Sequence, residues 1–309
     1  MENILDLFPD AYRRKIDLQI AGRWSELQEI RLRLAQPVEL VFDQYTEWVT
    51  GLRPDKSVGM YVVNQLSGYS LYRLEDELRL GYITITGGHR VGLAGKVNTI
   101  NGNVAAIQDI AFLNIRIAKE KIGIAEKVMP YIFKDAYMNT MLIGAPQTGK
   151  TTLLRDVARM VSEGWQKVRP CKVGIIDERS EIAASINGIP QHRVGHRTDV
   201  LDACPKAEGM MMMVRSMSPE VLIVDEIGSV ADVEALMEAI HAGVKIICTV
   251  HGSSVENLMK RPSIKPLLES KVFQRMIILN KNTSLNRVAA ILDQDNKNVM
   301  PKFRVGYER

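Results

Sequence analysis

The chain has 309 residues, 46% of them hydrophobic and 25% charged, with a formal net charge of +4. That length and composition support one large domain or two, and exclude a disordered, fibrous or disulfide-scaffolded chain. The mild charge and 6% aromatic content do not by themselves point to nucleic acid, and no run approaches the ~20 apolar residues needed to span a bilayer.

In chain order, residues 1–12 carry no basic stretch leading into an apolar one and do not read as a secretory signal. Residues 10–27 read as helical. Residues 28–34 alternate Glu29 and Arg31 against Ile30, Leu32 and Leu34, the period of a strand with one buried face. Pro37 ends it, and residues 38–42 form a second strand. Helical patterns follow at 55–66 and 69–80. Residues 82–86, the Gly87-Gly88 turn and residues 90–97 read as a β-hairpin, Asn101-Gly102 marks another turn before a strand near 104–107, and residues 112–117 alternate again. The expectation is a smaller α+β domain over residues 1–120, then a joint with a short helix over 121–138.

From residue 139 the style changes. Short apolar runs at 140–143, 172–176, 221–224 and 245–250 alternate with helical stretches, predicting an α/β domain over 139–309 with a mostly parallel, helix-covered sheet.

Within it, Gly144-Ala145-Pro146-Gln147-Thr148-Gly149-Lys150-Thr151 fits GxxxxGK[ST], follows an apolar strand and opens a helix at Thr152. Glycines let successive backbone N–H groups surround phosphates, and the helix N-terminus adds partial positive charge. Lys150 would reach the β- and γ-phosphates and the Thr151 hydroxyl would hold Mg²⁺. A second strand, residues 221–224, ends in Asp225 and Glu226, at the carboxyl end where open α/β sheets bind ligands. Asp225 would hold the Mg²⁺ side and Glu226 would orient or deprotonate the attacking water, unless the two acids merely cap the next helix. Asp177-Glu178-Arg179-Ser180-Glu181 follows another strand: its acids either share the metal and water site, or Asp177 caps a helix while the rest is a solvated charge run. At the end of residues 245–250, His251 could sense the γ-phosphate. The NKxD signal of guanine-specific enzymes is missing, since Asn280-Lys281-Asn282-Thr283 lacks the aspartate, so ATP is the expected nucleotide.

These residues, in this order, resemble the secretion-ATPase branch of the RecA-like P-loop proteins, which power type II and type IV secretion and pilus machines. That branch carries an acidic box of the form E-D-P-x-E, matched in spacing by residues 177–181, and a threonine-histidine box, matched by Thr249 to His251. A closer resemblance, over nearly the whole chain, is to the stage III sporulation AA family of endospore-forming bacteria. It rests on segments such as Glu29-Ile-Arg-Leu-Arg33, Gly87-Gly-His-Arg-Val-Gly92, Asn114-Ile-Arg-Ile-Ala118, Val194-Gly-His-Arg-Thr-Asp199 and Cys204-Pro-Lys-Ala-Glu-Gly209. The resemblance implies a cytoplasmic ATPase, a homo-oligomer forming a hexameric ring at the inner face of a membrane. It would work with membrane-embedded channel proteins between mother cell and forespore. Two departures stand out: Asp225 replaces the glycine usual before the secretion-ATPase glutamate, and Arg179 replaces the proline of the acidic box.

Multimeric RecA-like ATPases complete each site with arginines from the N-terminal domain or a neighbouring subunit. Arg90, Arg116 and Arg197 are candidates, Arg116 foremost because it alternates against two isoleucines. Glu178 joins Lys150, Glu226 and Arg116 as a candidate catalytic group. The run Met210–Met213 reads as core packing rather than a partner site. Cys171, Cys204 and Cys248 are scattered, without a CxxC pair, and read as core thiols of a reducing compartment. The rival readings are a nucleic-acid-dependent ATPase and a slow nucleotide-dependent switch.

Overall fold

The computed structural model describes residues 2–68, 78–79, 81–100, 102–280 and 288–300. The chain divides into two compact units, Met1–Lys119 and Glu120–Arg309.

The first unit opens with α1 (Glu2–Leu5) and α2 (Asp10–Ile20). The sequence pattern extends α2 to residue 27, but Ala21 and Gly22 take left-handed backbone (φ 48° and 79°) and stop it at Ile20. Leu27 instead begins β1 (Leu27–Arg33), followed by β2 (Val38–Phe42), β3 (Thr46–Val49), α3 (Lys56–Ser67), β4 (Tyr82–Ile85), β5 (His89–Ile100) and β6 (Asn103–Arg116). The strands form an antiparallel sheet in the order β3-β2-β1-β6-β5-β4. The two short strands expected near 104–107 and 112–117 are parts of β6. It stays paired with β5 through irregularities at Ala94/Gly95, Lys96/Val97 and Asn98/Thr99. The helix expected over 69–80 lies mostly outside the described residues. Asp55 caps α3 by accepting from the Val58 amide at 3.0 Å. Ile16, Ile20 and Val62 bury against Ile30, Leu40, Val91 and Ile115 in one core.

In the second unit α4 (Met129–Ile132) precedes β7 (Thr140–Gly144), α5 (Lys150–Glu163), β8 (Val173–Asp177), β9 (Thr198–Asp202) and α6 (Lys206–Met217). Then come β10 (Val221–Val224), α7 (Val230–His241), β11 (Lys245–His251), α8 (Val255–Leu258), α9 (Lys265–Glu269), β12 (Arg275–Leu279) and β13 (Val288–Asp293). The sheet order is β13-β12-β7-β11-β10-β8-β9, parallel throughout except for the edge strand β13. Two separate cores flank it. One packs α4 and α5 against the sheet and the other packs α6 and α7. Within the segment read as a joint, Ala125, Val128, Met129 and Ile132, spaced as one helical stripe, are buried in the α5-side core. The Ala125 amide also donates to the buried Asp156 carboxylate of α5 at 2.8 Å. Within the methionine run, Met210 and Met213 are core residues, whereas Met212 faces solvent. No helix of the described residues is long and apolar enough to cross a membrane.

Candidate active site

β7, buried along its length, delivers the chain into the loop of residues 145–149 and then α5. Gln147 (φ 60°) and Gly149 (φ 92°) adopt left-handed backbone, the geometry that lets neighbouring amides face one concavity. Gly144 is required on steric grounds. A Cβ there would meet the Thr148 hydroxyl oxygen at 2.5 Å and the Cβ of Leu279 at 3.3 Å. The Thr148 hydroxyl, itself buried, donates to the Ala145 carbonyl at 2.9 Å and braces the loop from inside. Ala145, Pro146 and Gln147 form its exposed tip, and Thr152 is half-buried in the first turn of α5. The Lys150 ammonium donates to the carbonyls of Gly144 (2.8 Å) and Ala145 (3.0 Å). Burial lowers its pKa, and the charges of Asp225 and Glu226 oppose that shift.

Four buried aliphatic residues of β10 lead to Asp225 and Glu226. Thr151 Oγ1 donates to one Asp225 oxygen at 2.7 Å, and the Thr249 hydroxyl of β11 donates to the other. Thr249 Oγ1 also accepts the Glu226 amide at 2.8 Å. Asp225 is thus the hub joining α5, β10 and β11. Its burial raises its pKa against the opposing effect of both hydroxyls. Glu226 takes left-handed backbone (φ 55°), an uncommon conformation for a residue with a side chain, and its carboxylate remains partly exposed.

β8 ends at Asp177, where the acidic loop begins. Asp177 is almost fully buried and accepts from the amides of Glu181 (2.8 Å), Ile182 (3.0 Å) and Ala183 (2.8 Å), so it caps and shapes the loop. Glu178, Arg179 and Glu181 line one cleft with Asp225 and Glu226. Glu178 pairs with Lys206 of α6, and Arg179 Nη1 donates to Glu226 at 2.9 Å. His251 Nδ1 stands 3.7 Å from the other Glu226 oxygen, and His251 lies in register with Gly144 across the β11–β7 pair. Residues from the carboxyl ends of β7, β11, β10 and β8 therefore meet along one edge of the sheet.

Arg155 and Lys206 were not anticipated. Arg155, one helical turn after Thr151, donates to the carbonyls of Ile182 (2.5 Å) and Glu181 (2.7 Å) and ties the acidic loop to α5. An arginine at i+4 from the P-loop threonine is visible in sequence, but its backbone partners are not. Arg116 and Arg90 belong to the first unit, paired in register across β5 and β6. The Arg116 side chain is exposed between the buried Ile115 and Ile117, and Arg90 stacks over the Tyr82 ring at 3.7 Å. Arg197 donates its amide to Ser162 Oγ at 2.7 Å, and its carbonyl accepts from the Val173 amide at 2.9 Å.

Among the described residues no group of three or more His, Cys, Asp or Glu could hold a metal ion alone. Mg²⁺ bound with a nucleotide needs only one or two protein oxygens beside phosphate and water. The Thr151 hydroxyl and Asp225 carboxylate, 2.7 Å apart, fit that requirement, and the cradle around Gly144 fits a phosphate.

The same fold occurs in solved ATPases at low sequence identity. The Legionella pneumophila ATPase DotB is similar with a TM-score of 0.62 at 16% identity, covering 93% of this chain and 82% of that one. The pilus retraction motor PilT, solved with bound ADP, is similar with a TM-score of 0.58 at 15% identity, covering 85% and 76% respectively. The second unit thus has the RecA-like fold of these proteins, preceded by a smaller α+β unit. In sequence, the stage III sporulation protein AA of Bacillus subtilis (strain 168) is 50% identical over 297 residues, 96% of each chain. The family model described as "Sporulation stage III, protein AA" matches residues 1–299, and the chain belongs to that family.

Proposed function

We propose that the protein is a Mg²⁺-dependent ATPase that converts hydrolysis into mechanical work. The observation that carries this reading is the chain Thr151–Asp225–Thr249, which fastens the phosphate loop to the strand bearing Glu226. Lys150 exchanges its loop carbonyls for phosphate oxygens. Thr151 and Asp225 hold the metal side, and the metal, when bound, neutralises charge between the β- and γ-phosphates. Glu226 accepts the proton of the attacking water at a carboxylate oxygen. Its position is set by its amide bond to Thr249 and by Arg179. His251 and Glu178 border the same edge as further polar groups. Arg116, supplied by a neighbouring copy, completes the site with positive charge.

Family membership supports placing this motor in sporulation. There a homo-hexameric ring, held at the cytoplasmic face of the membrane by membrane-embedded channel proteins, would power assembly of, or transport through, the channel between mother cell and forespore. The test is ATP turnover measured across protein concentrations, with Lys150→Ala as blank and Glu226→Gln beside it. Specific activity that rises with concentration and disappears in both variants is the expected result. Turnover that survives either substitution would falsify the site assignment.

A further inference from the structure

α6 and α7 pack side by side on the sheet and leave a groove of about 770 Å³ between their outer faces. α6 turns Met210 and Met213 inward, and α7 turns Val233, Leu236 and Ala239 inward. The groove is lined by Met211, Met212 and Ala231, together with the buried Ala235. Met212 is 53% exposed, and Val230, at the start of α7, is 60% exposed. Thioether side chains are flexible and polarisable, and exposed methionine between small residues is a surface that adapts to an apolar ligand.

The rim is charged in one sense. Glu208, Glu234 and Glu238 border the groove, with Arg215 as the single cation among its lining residues. Glu234 and Glu238 stand at i and i+4 on α7, a like-charge spacing that weakens a helix. None of the three glutamates forms an ion pair or a side-chain hydrogen bond among the described residues. Among the described residues the rim is therefore net acidic around a methionine floor, three glutamates against Arg215, although the overall charge is positive.

We propose that this groove docks a basic amphipathic helix of a partner protein. Leucine- or methionine-type anchors would enter between Met211, Met212 and Ala235, and lysines or arginines would meet Glu208, Glu234 and Glu238. Each wall is a twelve-residue helix, about 18 Å long, room for roughly three turns of a ligand helix read at i, i+3/i+4 and i+7. This surface lies outside the phosphate site and goes beyond the hydrolytic reading.

The test uses the full chain and two labelled synthetic peptides of about 16 residues, a length that covers the groove. Both carry leucines on one helical face, one with flanking lysines and the other with glutamates in their place. Fluorescence anisotropy is expected to show saturable binding of the lysine peptide, with the glutamate peptide about tenfold weaker or silent. Raising salt weakens the lysine peptide. Glu234→Lys with Glu238→Lys, and separately Met212→Asp, are expected to lower affinity about tenfold while ATP turnover stays at the parent level. The milder pair Glu234→Gln and Glu238→Gln gives an intermediate loss in a chain whose far-ultraviolet dichroism is unchanged. Absence of saturable binding, equal binding of both peptides, or indifference to all these variants overturns the proposal. So does sedimentation showing that Met212→Asp abolishes self-association which the lysine peptide cannot displace, because the groove would then be filled by a second copy.

Discussion

The guanidinium of Arg179 donates to the carboxylate of Glu226 across 2.9 Å, linking the loop after β8 to the end of β10. Where the secretion-ATPase pattern has proline, this chain has a cation in contact with the carboxylate assigned to the water. Arg179→Ala should lower kcat about 10–100-fold with little change in KM, since the carboxylate is left without a fixed direction. Arg179→Lys should recover part of the loss. Steady-state kinetics on the parent and the two Arg179 variants reads kcat and KM separately. A rise in KM with kcat unchanged would show that Arg179 acts elsewhere.

Thr249 serves Asp225 and Glu226 with one hydroxyl. Thr249→Val keeps the shape but leaves the buried Asp225 oxygen and the Glu226 amide without that partner. The expected cost is about 1–3 kcal/mol in stability, with turnover falling more steeply than nucleotide binding. Urea unfolding and nucleotide titration on the same variant separate the two effects.

His89 is buried and accepts a hydrogen bond at Nδ1 from the Ala118 amide at 2.9 Å, with its pKa lowered by burial to about 4. A neutral imidazole is therefore what the fold accommodates. The folded pKa lies below the unfolded value of 6.5, so the contribution of His89 is complete above pH 6.5. It is lost as pH falls through that value toward 4, by about 3 kcal/mol in all. Urea midpoints measured between pH 7 and pH 4 should fall more for the parent than for His89→Phe. A His89 ring that titrates by NMR near 6.5 contradicts this.

Gly174 in β8 admits no side chain, because a Cβ would lie 2.6 Å from Met213 Cγ and 3.0 Å from Leu222 Cδ1. Gly174→Ala should cost about 1–3 kcal/mol through overpacking. Met213→Ala in the same chain should recover part of it. Thermal unfolding of the three variants reads the coupling.

The alternation of apolar runs with helical patterns made the second unit legible, since buried parallel strands are nearly continuous aliphatic segments. Strand β9 was missed because Thr198, Asp199 and Asp202 make it read as a polar loop, and it pairs along only one edge. β3 was missed for a similar reason, being four residues long with Thr46 and Trp48 exposed. At the site, the loop glycines and the paired acids stand out because their spacing is local. The donation from Arg155 to the loop of residues 181–182, and the Arg179–Glu226 pair, join residues 26 to 47 positions apart. Only the order of strands in the sheet brings such residues together. Asp177 illustrates the remaining ambiguity: the sequence offers a helix cap or a metal site, whereas the carboxylate accepts from three amides of its own loop, partners invisible in sequence.

The groups around Asp225 stand at the carboxyl ends of their strands. The turn between α7 and β11 lies at the opposite, amino end of β11, where Gly243 (φ 89°) has nothing within 4 Å of the position a Cβ would take. A short tag or fluorophore inserted there touches none of the groups around Asp225. It gives a handle for pulling on or watching the second unit at a distance from the proposed site.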